Sequence, residues 1–169
     1  IESIVGPAIA NIGERDLVMS RAMRQICSEI QFPLQCPAVT LSSQDAIWLL
    51  QEFHLVAIPF REDHSPLQVP AFYHELGHLL CTDHRDAKVD PFRDATLLIS
   101  AEFLDHFTRE LTYASRRKNA EVNCARLSVW RSFWIRHWLE ELICDAFAAS
   151  TCGPAYGWTF IHGAISSDS

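Results

Sequence analysis

Two histidines and a glutamate stand close together in the segment His74-Glu75-Leu76-Gly77-His78. Residues four apart lie on one face of a helix, so His74 and His78 can offer two imidazole nitrogens to one metal ion. Glu75 would then lie near a water bound to that metal and could take up its proton. The segment therefore predicts a metal site that holds zinc, with Glu75 as the general base of a hydrolytic reaction.

A second acidic pair occurs further along the chain, where Glu141 and Asp145 are four residues apart. Glu141 could supply a carboxylate oxygen to the metal, and Asp145 could hold the second nitrogen of a ligating histidine. Glu140 is the rival ligand, but the residue four positions after it is Cys144, so the spacing favours Glu141. The alternative is that both glutamates belong to a solvated charged face. Asp145, however, precedes an apolar stretch in which a carboxylate needs a partner.

The pattern HExxH with a downstream Glu-x-x-x-Asp resembles the zincin metallopeptidases, in particular the gluzincins. The resemblance covers about ten residues of the chain. It implies a zinc ion bound by His74, His78 and Glu141, general-base catalysis by Glu75, and a hydrogen bond that Asp145 accepts from a ligand histidine and that orients its ring. It also implies a zincin-like domain that hydrolyses peptide bonds in a peptide or protein substrate.

His84 offers a different third ligand, because HELGHLLCTDH has the spacing of the metzincin pattern HExxHxxGxxH. Cys81 stands where that family has the glycine that lets the chain turn back to the metal. The metzincins also have a methionine turn downstream, whereas Met19 and Met23 both lie upstream of the motif. Glu141 therefore remains the preferred third ligand.

The motif is expected on a helix that begins at Val69-Pro70, because proline is favoured in the first helical turn. Gly77 inside this helix costs about 1 kcal/mol relative to alanine. The glycine is either incidental or required by the close approach of another backbone.

The segment before this helix, residues 52–60 (EFHLVAIPF), is rich in β-branched and aromatic residues and predicts a short strand. Pro59 favours an edge strand or marks the end of the strand, since proline cannot donate a hydrogen bond to a neighbour. An edge strand beside a metal site could hold an extended peptide through its backbone. The alternative is a strand with a purely structural role.

Most of the remaining sequence predicts helices. Expected helices are 7–30, a short one capped by Ser42 or Ser43 and running through 48–51, one opened by Pro91, a long one over 121–150 stopped by Gly153-Pro154, and a final one through Ile165. The helix after Pro91 has one apolar stripe, formed by Leu97, Ala101, Leu104, Phe107 and Leu111. Together the elements predict one α+β domain over 1–169, predominantly helical, with a small sheet.

Hydrolysis of an amide needs a donor for the negative charge that develops on the carbonyl oxygen. Tyr156 and His162 are the preferred candidates, and Tyr73 is a weaker one. The alternative for each is a core residue with a satisfied polar tip.

Three tryptophans, Trp130, Trp134 and Trp138, follow one another at helical spacing on the long helix. Such a stripe favours core packing over the wall of a substrate pocket. His137 lies one turn before Glu141 and is expected to support a metal ligand or to pack against neighbouring side chains, without binding the metal itself.

Composition agrees with a globular domain, since 49% of the 169 residues are hydrophobic and 21% are charged. The formal charge of −7 argues against a nucleic-acid partner. No apolar run is long enough to span a membrane. The sequence begins at Ile1 rather than methionine, which indicates a fragment or a processed product.

The six cysteines form no CxxC pair, which favours reduced thiols and a cytoplasmic protein. Cys81 is close enough to the motif for a thiolate ligand, although the histidines and Glu141 are preferred. Two other classes of function remain open at this stage. One is a non-catalytic zinc-binding module, and the other is a helical interaction domain in which the HExxH pattern is accidental. Neither oligomeric state nor substrate sequence follows from these residues.

Overall fold

The computed structural model describes residues 14–42, 47–59, 69–82 and 87–166, and these form a mainly helical α+β structure with a small sheet. The predicted fold class is confirmed at this level. In chain order the elements are α1 (Glu14–Glu29), β1 (Ala38–Ser42), β2 (Trp48–Leu50), β3 (Leu55–Pro59), α2 (Val69–Thr82), α3 (Asp90–Ala114), α4 (Ala120–Phe133), a π-helix (Trp134–Trp138), α5 (Leu139–Cys152) and α6 (Pro154–Ser166). Two short 3-10 turns, Gln51–Phe53 and Ala87–Val89, precede β3 and α3.

Prolines and a glycine set several helix boundaries where the sequence predicts them. Pro70 lies in the first turn of α2, and Pro91 lies in the first turn of α3. Gly153 ends α5 with a positive φ of 59°, and its N–H donates to the Ala149 carbonyl at 2.8 Å. Such a φ suits glycine because it has no Cβ. Pro154 then begins α6.

The strand before the motif lies in the centre of the sheet, so its prediction as an edge strand is wrong. The strand order is β1-β3-β2, with β1 parallel and β2 antiparallel to β3. Val56, Ala57 and Ile58 are fully buried, which suits a central strand. Pro59 is tolerated because it is the last residue of β3, where its missing N–H affects only the end of the ladder.

The two edges of the described sheet are β1 and β2, and β2 forms where the sequence predicts a short helix. Trp48 pairs with Ala57 and Leu50 pairs with Leu55 in the antiparallel ladder. Leucine favours helices by itself, so pairing with the buried strand β3 overrides intrinsic propensity at Leu49 and Leu50. Ser42 ends β1 instead of capping a helix, and Ser43 lies outside the described residues.

Helix α2 lies between the core and α5. On one side, Phe72, Leu76 and Leu79 are buried in a cluster that includes residues of α1 and the sheet. On another side, α2 packs along α5, where Cys144 and Ala148 are fully buried. This packing fixes the HExxH helix against the helix that carries the downstream acidic residues.

The apolar stripes of α3 and of the long helical run are only partly buried. Trp130 and Trp138 are each 51% exposed, so the prediction that they pack in the core is wrong. Trp134 packs against Phe103 of α3, with ring centroids 5.3 Å apart. The α3 stripe is likewise mixed, because α3 packs mainly on α4 and leaves part of its apolar face open. Within that stripe Phe107 is buried, whereas Leu97 and Leu104 are exposed.

None of the helices in the described part of the structure combines the length and the hydropathy that crossing a bilayer requires.

Candidate metal centre

The packing of α2 on α5 brings the three predicted metal ligands together. The Nε2 atoms of His74 and His78 lie 3.2 Å apart. The Glu141 carboxylate faces both, with Oε2 at 3.2 Å from His74 Nε2 and Oε1 at 3.6 Å from His78 Nε2. One donor atom from each residue lies within 4.8 Å of the others, so the group can hold a metal ion.

Two further carboxylates hold the outer nitrogens of the imidazoles. His74 Nδ1 lies 2.8 Å from Asp145 Oδ1, which is the partner that the spacing predicts. His78 Nδ1 lies 2.8 Å from Glu140 Oε1. An Nδ1–H that donates to a carboxylate leaves Nε2 with a lone pair for a metal. Glu140, predicted as the rival ligand, therefore lies behind His78 and orients it.

The donor set fits zinc. Two Nε2 lone pairs and a carboxylate in such close contact repel one another unless a proton or a cation lies among them. Imidazole nitrogen and carboxylate oxygen are both common zinc ligands, and three protein ligands are typical of catalytic zinc sites. The side chains of His74 and His78 are 16% and 13% exposed, whereas that of Glu141 is 55% exposed. The open side of the group is thus the side of Glu141.

The carboxylates around His78 favour its charged form. Burial alone would lower the pKa of His78, but the hydrogen bond with Glu140 and the charges of Glu75 and Glu141 outweigh it. The net effect is a raised pKa. Without a metal, a proton is therefore the competing cation at this nitrogen cluster.

Glu75, the predicted general base, lies in the same cleft and has an unusual acidity. Burial raises the pKa of Glu75 to about 7, and the negative charge of Glu141 adds to the rise. The positive charge available at His78 opposes it. A pKa close to neutrality suits a group that must both accept and release a proton.

The metal ligands open into a cleft of about 440 Å³ between β2 and the π-helix. Such a volume is typical of small-molecule and peptide sites. Helix α2 supplies one wall, and the β2 region and the π-helix with α5 supply the others. Besides the motif residues and the two glutamates, the described lining residues are Ile47, Trp48, Leu49, Gln51, Arg136 and His137.

Sequence reasoning placed His137 near the site but missed Arg136 and the contribution of β2. A five-residue π-helix interrupts the long helix at Trp134–Trp138 and changes which side chains face the cleft. π-helical turns are frequent at functional sites. Residue periodicity does not reveal one extra residue in a helical turn. The contribution of β2 was missed because the sequence predicts a helix at Trp48.

Of the predicted oxyanion donors whose side chains the structure describes, neither Tyr156 nor Tyr73 lines the cleft. The Tyr156 hydroxyl is buried, donates to Asp145 Oδ1 at 2.5 Å and lies 3.0 Å from His74 Nδ1. It therefore lies on the outer side of His74, away from Nε2, where it supports Asp145, and its role as an oxyanion donor stays a prediction. Tyr73 packs against the core cluster. The His162 side chain and His84 lie outside the described residues.

Comparison of the chain with protein-family models, with curated proteins and with solved structures gives no match. The interpretation of the site therefore depends on its own residues and geometry.

Proposed function

We propose that this protein is a zinc metallopeptidase of the gluzincin type, which hydrolyses peptide bonds with water as the nucleophile. The observation that supports the proposal most is the convergence of His74, His78 and Glu141 at the mouth of a cleft that also contains Glu75. A purely structural zinc site would usually be closed by a fourth protein ligand. Among the described residues, the three ligands instead line an open cleft.

Each residue of the site has a distinct role in the proposed reaction. Zinc held by the three ligands would supply Lewis acidity toward a substrate carbonyl and toward water. Glu75 accepts the proton of the attacking water and passes it to the leaving amine. Asp145 and Glu140 hold the two imidazoles in the tautomer that presents Nε2.

The edge strand β2 provides a surface for an extended peptide. Its residues Trp48 and Leu49 line the cleft, and in the described sheet β2 pairs only with β3. A peptide can add to a strand edge through backbone hydrogen bonds, with little dependence on its sequence. The peptide-binding role that the sequence predicts for the strand 52–60 is therefore proposed for β2 instead.

His137 replaces Tyr156 as the candidate donor to the developing oxyanion, because its side chain lines the cleft. Its ring also contacts that of Phe133, with centroids 6.4 Å apart, which restricts its orientation. A donor of this type contributes about 10²- to 10³-fold to turnover when it is well placed.

The test combines metal analysis with cleavage of a peptide mixture followed by mass spectrometry. We expect about one zinc per chain, lost in His74→Ala. Glu75→Gln should retain zinc and abolish cleavage, whereas Glu102→Gln, at an exposed position on α3, should leave both unchanged. Retained zinc without cleavage of any peptide by the unaltered protein would support a non-catalytic zinc module instead. Absence of zinc binding would support a helical interaction domain.

A further inference from the structure

Arg136 contributes a positive charge to a cleft whose other charged lining residues are glutamates of the metal centre. It is exposed on the π-helix and lines the cleft with Glu75, Glu140 and Glu141. Among the described lining residues there is no other arginine and no lysine. The only other basic groups there are imidazoles.

The guanidinium of Arg136 is not neutralised by the described protein. Two arginines of α3 pair along their own helix, Arg93 with Asp90 at 2.8 Å and Arg109 with Asp105 at 3.1 Å. Within the described ranges, no carboxylate lies at ion-pair distance from Arg136. Glu140, four residues later, would be the natural helical partner, but its carboxylate is held by His78. Arg136 is therefore available to a ligand in the cleft.

The π-helix gives this availability a structural cause. Residues four apart share a face in an α-helix. In a π-helix the hydrogen bonds join residues five apart, so residues five apart come to share a face instead. The π-helix Trp134–Trp138 lies immediately before the segment that carries Glu140 and Glu141. Arg136 and the metal-facing carboxylate of Glu141 thus both face the cleft.

We infer that Arg136 determines specificity by binding a carboxylate of the substrate close to the cleaved bond. The inference rests on the proposed peptidase function and adds the substrate class, namely acyl or peptidyl substrates with a nearby negative charge. A guanidinium binds a carboxylate with two parallel hydrogen bonds, which fixes orientation as well as charge. The carboxylate belongs either to the substrate's C-terminus or to an Asp or Glu side chain.

The size of the cleft limits how far that carboxylate lies from the metal ligands. A sphere with the volume of the cleft is about 9 Å across, and an extended peptide advances about 3.3 Å per residue. The charge is accordingly expected within about three residues of the cleaved bond.

Hydroxamates test the inference without turnover, because the hydroxamate group binds zinc. The probes are the monohydroxamates of succinate, glutarate and adipate, compared with neutral acyl hydroxamates of the same chain lengths, on the zinc-loaded full chain. At least one acidic probe should bind about 10- to 100-fold more tightly than its neutral counterpart. Arg136→Gln should remove this preference, and Arg131→Gln, on an exposed arginine outside the described cleft lining, should retain it.

Blocked peptides then distinguish the two sources of the carboxylate. One series compares internal Glu with Gln, and the other compares a free C-terminus with an amidated one. The series that Arg136 recognises should lose kcat/KM in Arg136→Gln mainly through KM, while the neutral peptides change little. Arg136→Glu should reverse the preference toward Lys or Arg at the same position.

Three results would overturn the inference in distinguishable ways. Equal binding of acidic and neutral hydroxamates would contradict the role of Arg136 and leave the metal site intact. An equal loss of kcat on acidic and neutral peptides in Arg136→Gln would identify a transition-state donor instead. If neither type of hydroxamate binds to protein incubated with zinc, the metal site itself is wrong, and the inference fails with it.

Discussion

Gly77 of the HExxH helix faces Cys144 of the acidic helix so closely that a Cβ on Gly77 would lie 3.0 Å from the Cys144 Cα. Of the two explanations proposed for this glycine, the close approach of another backbone is confirmed. Gly77 lies between His74 and His78 on α2, and Cys144 lies three residues after Glu141 on α5. A shift of either helix would therefore move the imidazoles relative to Glu141.

We expect Gly77→Ala to destabilise the protein by about 1–3 kcal/mol, because the added methyl group overlaps backbone that cannot rotate away. Gly157→Ala is the matched control, since nothing lies within 4 Å of the Cβ that it would add on α6. Alanine there should be neutral or stabilise by up to about 1 kcal/mol through helix propensity. Urea unfolding measures both changes. Equal effects of the two substitutions would contradict the tight α2–α5 contact.

The neighbouring glutamates should differ in their effect on zinc. Glu141→Gln removes a carboxylate that faces both Nε2 atoms and should weaken zinc binding more than any other acidic substitution at the site. Glu140→Gln removes the partner of His78 Nδ1 and should weaken binding about 10- to 100-fold. Competition with a chromogenic chelator gives both affinities. If Glu140→Gln weakened zinc binding more than Glu141→Gln, Glu140 would be the metal ligand and Glu141 would not.

Tyr156→Phe separates support of the metal site from participation in catalysis. Burial and the hydrogen bond to Asp145 raise the pKa of Tyr156, so its hydroxyl stays protonated and donates. Its loss should lower the free energy of unfolding by about 1–3 kcal/mol. Turnover of a cleaved peptide should change only a few-fold, compared with about 10²- to 10³-fold for a lost oxyanion donor.

Tyr113→Phe, at an exposed tyrosine of α3, is the control for that substitution and should leave stability almost unchanged. A large decrease of kcat in Tyr156→Phe at unchanged stability would restore the role that the sequence predicts for this tyrosine.

Glu75 should make the zinc-free protein less stable as the pH rises. Its pKa is about 7 in the folded protein, compared with 4.5 for an ordinary glutamate, so between these values the folded state binds more protons. Stability then falls as pH increases through this window, by about 1–3 kcal/mol from this group. Glu75→Gln should remove that part of the decrease between pH 5 and 8. Chemical unfolding of zinc-free samples measures it.

Glu102→Gln should keep the pH dependence of the unaltered protein, because Glu102 is exposed on α3. An identical pH profile for Glu75→Gln and the unaltered protein would mean that Glu75 is not buried in the folded state.

The sequence predicted the contacts among the candidate site residues better than the elements around them. Spacing alone identified the contacts of Glu141 and Asp145 with the imidazoles, because four-residue intervals on packed helices translate directly into geometry. Pro70, Pro91 and Gly153 marked helix ends for the same local reason. These features depend on neighbours along the chain.

Features that depend on distant partners were predicted poorly. β2 adopts its conformation because it pairs with β3, and the edge of the sheet depends on strand order, which hydrophobicity does not specify. The π-helix that presents Arg136 and His137 has no signal in residue periodicity. The sequence predicts Glu140 as a rival ligand or as part of a solvated charged face, and its contact with His78 Nδ1 is missed, although His78 needs a partner there just as His74 does.

The most direct test of the proposed centre is zinc K-edge X-ray absorption of the zinc-loaded protein. We expect nitrogen and oxygen neighbours at about 2.0–2.2 Å, with the multiple scattering of two imidazoles. In Glu141→Gln the same spectrum should lose an oxygen neighbour and keep both imidazoles. A sulfur neighbour at about 2.3 Å, or a spectrum that His74→Ala leaves unchanged, would contradict the assignment of zinc to His74, His78 and Glu141.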